Sequence, residues 1–143
     1  MIFNVNFKKT MQEIIKTKLK KYGYKYSENE HSIDINLGMS QHLTVNFSEN
    51  EKIIFKDKLK GWNFLTGIIE MSFKGAIIYQ TIGMLFAIFF LMFVSQKSNI
   101  LQFPFIYLLT GVSAWLIIWS VYYLIRLENI KTQIIFWIEN SGK

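Results

Sequence analysis

The chain has 143 residues, 51% of them hydrophobic, a net charge of +6 and no cysteine. Charge is segregated: residues 1–74 hold twelve Lys and eight Asp or Glu, whereas residues 75–125 hold one charged residue, Lys97. That distribution excludes an ordinary soluble domain, and the missing cysteine excludes a disulfide scaffold, a cysteine nucleophile and cysteine-bearing zinc or iron–sulfur sites.

In chain order, Phe7, Met11, Ile14, Ile15, Leu19 and Tyr22 recur at the spacing of one helical stripe. Lys8, Lys9, Lys16, Lys20 and Lys21 lie off that stripe and make a basic face. Asn6 can cap the helix start and Gly23 can end it in the left-handed conformation. Ile2, Phe3 and Val5 ahead of it suggest a short strand. The lysines between Phe7 and Tyr22 leave no apolar core of the kind a secretory signal needs, which keeps this part cytoplasmic.

After Gly23 the period becomes two. Ile33, Ile35 and Leu37 alternate with Ser32, Asp34 and Asn36, and Leu43, Val45 and Phe47 alternate with His42, Thr44 and Asn46. Tyr24–Tyr26 and Ile53–Phe55 extend the set towards a four-stranded antiparallel meander. Ser-Glu-Asn-Glu occurs at 27–30 and again at 48–51, which fits turn chemistry. Residues 1–60 thus read as a small cytosolic α+β domain. A domain of this size buries too little surface to be robust alone, so it should lean on something else.

Trp62, Leu65, Ile69 and Phe73 return to helical spacing, which predicts a membrane-proximal amphipathic helix over 61–74 running without a break into the first span. Trp62–Ser95 as one helix would be ~51 Å long, and Pro104–Glu139 ~54 Å, so both should project beyond a ~30 Å hydrocarbon core. The expected organisation is transmembrane helix 1 at 75–95, an external loop at 96–103, transmembrane helix 2 at 104–126 and a cytosolic amphipathic helical tail at 127–143. The fold class is a membrane α-helical hairpin with a small N-terminal cytosolic α+β domain. Lysines before the first span and Arg126 and Lys131 after the second place both termini in the cytoplasm. Lysine-rich, AT-biased composition suggests a bacterial inner membrane.

Gly83 with Ala87, and Thr110 with Ala114, are small-xxx-small pairs that let helices approach, either within the hairpin or between protomers. Phe86 and Phe90 on the first span, and Trp115 and Trp119 on the second, form aromatic faces suited to packing or to an apolar constriction. Gln80 and Ser113 are the polar groups available between helices. No ionisable residue lies inside either span, which argues against a proton relay, a charged filter or a coupled transporter. No phosphate loop, nucleophile elbow or carboxylate pair is visible. His31 and His42 sit near opposite ends of different strands without carboxylates at ligand spacing. No enzyme, metal or cofactor is therefore expected.

The basic face, with +6 over residues 1–25, suits a solvated surface, anionic lipid or an acidic cytosolic ligand, while nucleic acid is disfavoured. The expected function is a small non-enzymatic membrane protein that homo-oligomerises through its domain and hairpin. It would act as a pore-forming or membrane-disrupting effector or sensor, such as in bacterial defence. The alternative is an accessory or recruiting subunit of a larger inner-membrane complex.

Overall fold

The computed structural model describes residues 3–47, 53–95 and 102–140. Helix α1 spans Phe3–Lys21, and strands β1 (Lys25–Asn29), β2 (Ser32–Gly38), β3 (Gln41–Asn46) and β4 (Ile54–Leu59) follow. Two long helices complete the chain, α2 (Phe73–Ser95) and α3 (Gln102–Glu139). The N-terminal helix, the antiparallel sheet and the two apolar helices are those the periodicity predicts.

Helix α1 buries Met11, Ile15 and Leu19, four residues apart and therefore stacked on one face. It ends where expected: Gly23 has φ 73°, and the Tyr24 N–H reaches back to the Leu19 carbonyl at 3.0 Å, as in a glycine-terminated helix. Its start differs from expectation. Phe3 and Val5 are helical rather than strand, and Asn6 lies inside the helix rather than capping it.

The sheet is a meander of order β1-β2-β3-β4, antiparallel throughout. The register pairs Ile33 with Val45 and Ile35 with Leu43, so their side chains share one face. Those four are fully buried. The opposite face carries Ser32, Asp34, Asn36, His42 and Thr44. The second Ser-Glu-Asn-Glu copy lies outside the described residues, and the first runs from the end of β1 into the turn after it.

The buried sheet face is covered by two helices, and the second comes from the far end of the chain. Leu127, Ile130, Ile134 and Trp137 of α3 join Met11, Ile15, Leu19 and the strand residues in one core. At ~1.5–3 kcal/mol for each large apolar side chain buried, these four contribute on the order of 6–12 kcal/mol before conformational entropy. That matches the whole net stability of an ordinary domain, ~5–15 kcal/mol. The small domain does lean on something: the last four turns of its own membrane-type helix.

The amphipathic helix predicted over 61–74 is absent, and α2 begins only at Phe73. Two local features prevent it. The Asn63 Oδ1 accepts the N–H groups of Leu65 and Thr66 at 3.0 and 2.8 Å, folding the chain into a side-chain-closed turn. Gly67 has φ 66°, outside the right-handed helical region. The stalk of the first helix is accordingly replaced by a folded loop. The expected length of the second helix is present: the 38 residues of α3 run unbroken, ~57 Å at 1.5 Å per residue.

Helices α2 and α3 are long and apolar enough to cross a membrane, and their most apolar stretches are 0% and 6% buried within the chain. A core helix of a soluble protein buries that surface. The connection at 96–101, with Lys97, lies outside the described residues.

Candidate functional site

Among the described residues, a dense set of specific contacts lies where the domain meets the two apolar helices. It starts from the β2–β3 turn, in which Gly38, Met39 and Ser40 have φ of 83°, 51° and 64°. Left-handed backbone at residues bearing a Cβ costs on the order of 1 kcal/mol each and persists only where the surroundings enforce it. Here they do. Tyr123 of α3 donates its hydroxyl to the Met39 carbonyl at 2.8 Å. The Gln41 Nε2 donates to the Tyr123 carbonyl at 2.9 Å, the Ser40 Oγ donates to the Trp62 carbonyl, and the Lys60 N–H donates to the Ser40 carbonyl at 2.8 Å. Tyr123 and Gln41 are almost wholly buried. Arg126 lies over Gly38, where an added Cβ would come within 3.3 Å of its guanidinium. Its Nη1 donates to the Tyr122 hydroxyl at 2.6 Å.

The loop between β4 and α2 forms the second half of the joint. Asn63, 1% exposed, organises it. Its backbone exchanges hydrogen bonds with Gly67 at 2.8 and 3.0 Å, and its Nδ2 donates to the Thr66 Oγ1 at 2.9 Å and the Gly67 carbonyl at 3.1 Å. The Thr66 hydroxyl donates to the Ile69 carbonyl at 2.7 Å. Phe64 stacks on Trp119 with ring centroids 3.8 Å apart, and it meets Trp62 edge-on at 4.7 Å. Leu59, Leu65, Phe73, Ala76 and Tyr123 make a small second core beneath. The Asp57 carboxylate accepts the Phe73 N–H at 2.5 Å, placing a negative charge at the positive end of α2.

Electrostatics reinforce the same region. Asp34 accepts from Lys60 Nζ at 2.6 Å and Thr44 Oγ1 at 3.0 Å, with His42 Nδ1 at 3.2 Å. Burial alone would raise its pKa, but the bonds from Lys60 and Thr44 outweigh this and hold the carboxyl below its usual range. At the loop's neck, Lys58 binds Glu70 at 2.7 Å, and the Gly61 N–H donates to the same carboxylate at 3.2 Å. Lys58 first, then the Gly61 N–H, holds the Glu70 pKa down.

The expected site residues divide between this joint and the apolar hairpin. Gln80 does not simply face its neighbour helix: its Nε2 donates to the Leu65 carbonyl at 2.6 Å. Trp115 Nε1 reaches the Phe64 carbonyl at 3.4 Å, and Trp119 is covered by Phe64. Ser113 donates to its own helix at Leu109 (2.7 Å) and touches Met84 Sδ at 3.8 Å. Thr110 likewise bonds its own helix at Ile106, 2.8 Å away. Gly83 has nothing within 4 Å of where a Cβ would stand, so close packing of α2 on α3 does not account for it. Ala114 and Phe86 are exposed, and Ala87 and Phe90 line an apolar groove between the helices. That groove, of about 300 Å³, is matched by another of about 400 Å³, lined among others by Gln80, Met84, Ser113 and Leu116.

On the basic face, Lys9, Lys20 and Lys21 are exposed, but Lys16 is paired with Glu28 and Glu13. Those two carboxylates raise its pKa. The Lys8 side chain lies outside the described residues. Among the described residues no three His, Cys, Asp or Glu are grouped to hold a metal ion.

Sequence reasoning missed Asn63, Phe64, Tyr123 and Gln41, the residues that build the joint. The signal for Asn63 was present: an Asn followed at short range by Thr and Gly is turn chemistry, and it was overridden by the 3–4 spacing around it. No known protein family, curated protein or solved structure matches the chain.

Proposed function

We propose that this chain is a non-enzymatic integral membrane protein that homo-oligomerises and couples the state of its domain to its two membrane spans. The observation that carries the reading is the unbroken α3. One helix supplies both an apolar span and four buried residues of the domain core. A tilt or rotation of the span must then repack the domain, and a ligand or contact that repacks the domain must move the span. The positive-inside rule puts the domain in the cytoplasm, of a bacterial inner membrane on the compositional argument.

Assembly is supported by what the hairpin leaves open. Gly83 has nothing within 4 Å of where a Cβ would stand, and the hairpin carries two apolar grooves, one of them lined by Gly83 and Ala87. Helices of neighbouring copies would fill them, as small residues permit close approach. Between Lys74 and Arg126 the described helices hold no ionisable acid or base other than tyrosine. A path through such an assembly would be lined by hydroxyl, amide and apolar groups and gated by dewetting, which is the effector reading. Exposed Lys9, Lys20 and Lys21 offer anionic headgroups or an acidic ligand a surface.

The test is the mass of the detergent-solubilised particle, paired with ion flux from liposomes. A homo-oligomer that Gly83→Leu dissociates supports the reading, whereas a monodisperse monomer overturns assembly. The same open grooves favour a second reading, an accessory subunit that packs against a larger complex. A stoichiometric foreign partner in mild detergent would select it.

A further inference from the structure

The loop between β4 and α2 is built differently from a surface loop. Its neck is charged: Lys58, Lys60 and Glu70 lie there, and the Lys58–Glu70 pair closes it at 2.7 Å. Between Gly61 and Glu70 the chain reads Trp-Asn-Phe-Leu-Thr-Gly-Ile-Ile, with no charge. Its polar side chains, Asn63 and Thr66, are turned inward and buried, while Trp62 is 60% and Ile68 80% exposed. A loop in water would show the reverse pattern.

The tip carbonyls are satisfied from below by the apolar helices. Gln80 donates to the Leu65 carbonyl and Trp115 to the Phe64 carbonyl. Irregular backbone at membrane depth is tolerated only where protein covers it, and here Gln80, Trp115 and the inward-turned Asn63 and Thr66 meet the loop's carbonyl and N–H groups. This gives Gln80, otherwise an awkward residue in an apolar helix, a reason to be there.

Length leads to the same place. Gln80 is seven residues into α2, ~10 Å along it, which leaves ~22 Å to Ser95. From Gln102 to Trp115 α3 climbs ~20 Å. The polar residues Gln96–Asn99 bound the hairpin at its far end. If the loop lay outside the hydrocarbon, the remaining hairpin would fall ~8–10 Å short of a ~30 Å core.

We infer that the Gly61–Ile69 loop is inserted in the leaflet beside the domain, with Trp62 and Ile68 in contact with lipid. The inference rests on the proposal that α2 and α3 cross a membrane. The occupant of the exposed patch is the bilayer itself, because the patch is continuous with the uncovered surface of the spans. Charged residues at the neck, with Arg126 beside Tyr122, mark the headgroup level. The loop thereby fixes how deep the domain sits.

The cysteine-free chain permits a direct test in reconstituted vesicles of phosphatidylethanolamine and phosphatidylglycerol. Single variants Ile68→Cys, Lys56→Cys and Ile88→Cys carry a nitroxide, and accessibility to oxygen is compared with accessibility to a water-soluble nickel chelate. All three positions are at least partly exposed, so folding is not at stake. The expected result is an oxygen-to-nickel ratio several-fold higher at Ile68 than at Lys56, approaching that at Ile88. Releasing the loop with Asn63→Ala should move Ile68 towards the aqueous value. A deep Ile88 with an aqueous Ile68 overturns the loop inference alone. An Ile68 label shielded from both reagents points to a protein contact and also overturns it. An aqueous Ile88 overturns the membrane reading, and the inference with it.

Discussion

Replacing Ile134 with Ala tests whether the end of α3 belongs to the domain core. Ile134 is 0% exposed and its neighbour Ile135 is 44% exposed, so the pair offers the same chemical change at a buried and an exposed position of one helix. Truncating a buried Ile costs ~2–5 kcal/mol, from lost transfer energy and the cavity left behind. The gain in helix propensity from Ile to Ala is a few tenths of a kcal/mol and common to both sites. The expected loss is therefore ~2–4 kcal/mol at Ile134 and under ~0.5 kcal/mol at Ile135. A domain of this size holds only ~4–11 kcal/mol, taking ~0.05–0.15 per residue over about 75 residues. Amide hydrogen exchange in nanodiscs reads the effect where it matters, on the β2 and β3 amides of Ile33, Ile35, Leu43 and Val45. Protection there should fall ~30-fold or more in Ile134→Ala and ~2-fold or less in Ile135→Ala, at a factor of ten per 1.4 kcal/mol. Equal effects, or a loss confined to α3, would show that the helix merely lies against a self-sufficient domain.

Three further outcomes follow from the joint. Asp57→Ala removes the acceptor at the start of α2 and should cost ~1 kcal/mol, seen as fraying of the first turn by exchange at Phe73 and Ala76. Gly38→Ala meets both a left-handed backbone and the Arg126 guanidinium, so a stability loss of ~1 kcal/mol or more, read as a lower melting point, is expected, and an unchanged melting point would contradict the geometry. Asp34 has a lowered pKa, so its contribution is present above the ordinary carboxylate value of ~4 and disappears as pH falls through the lower folded value. Asp34→Asn should be less stable at neutral pH and flatten the acid limb of a stability–pH curve. An identical acid limb in both proteins would remove Asp34 as a source of acid sensitivity.

Much of the fold was legible because its elements bury one face each. Met11, Ile15 and Leu19 announce α1, and Ile33–Leu37 and Leu43–Phe47 announce strands by alternation. Two things were not legible. The amphipathic tail expected at 127–143 implied a buried face, which the structure shows to be that of Leu127, Ile130 and Ile134, without saying against what, since its partner lies far earlier in the chain and periodicity carries no pairing information. At Trp62–Phe73 the helical spacing is coincidental: the Asn63 side chain competes for the backbone and Gly67 turns it left-handed. Of the site, the sequence points Gln80 towards a neighbouring helix and Trp115 and Trp119 towards packing or an apolar constriction, yet the structure gives Gln80 and Trp115 polar bonds to the loop and lays Phe64 on Trp119. Their true partner was hidden because the loop itself was misread.

The closing of the core by α3 also orders the events of biosynthesis. The sheet and α1 are made first, but their apolar face stays uncovered until both long helices have been synthesised and the chain has turned back. If α2 and α3 cross a membrane as proposed, folding of the domain is contingent on correct insertion of the hairpin. A chain whose second helix fails to return is left with an open hydrophobic sheet, a ready substrate for proteolysis, so the architecture carries its own check on topology.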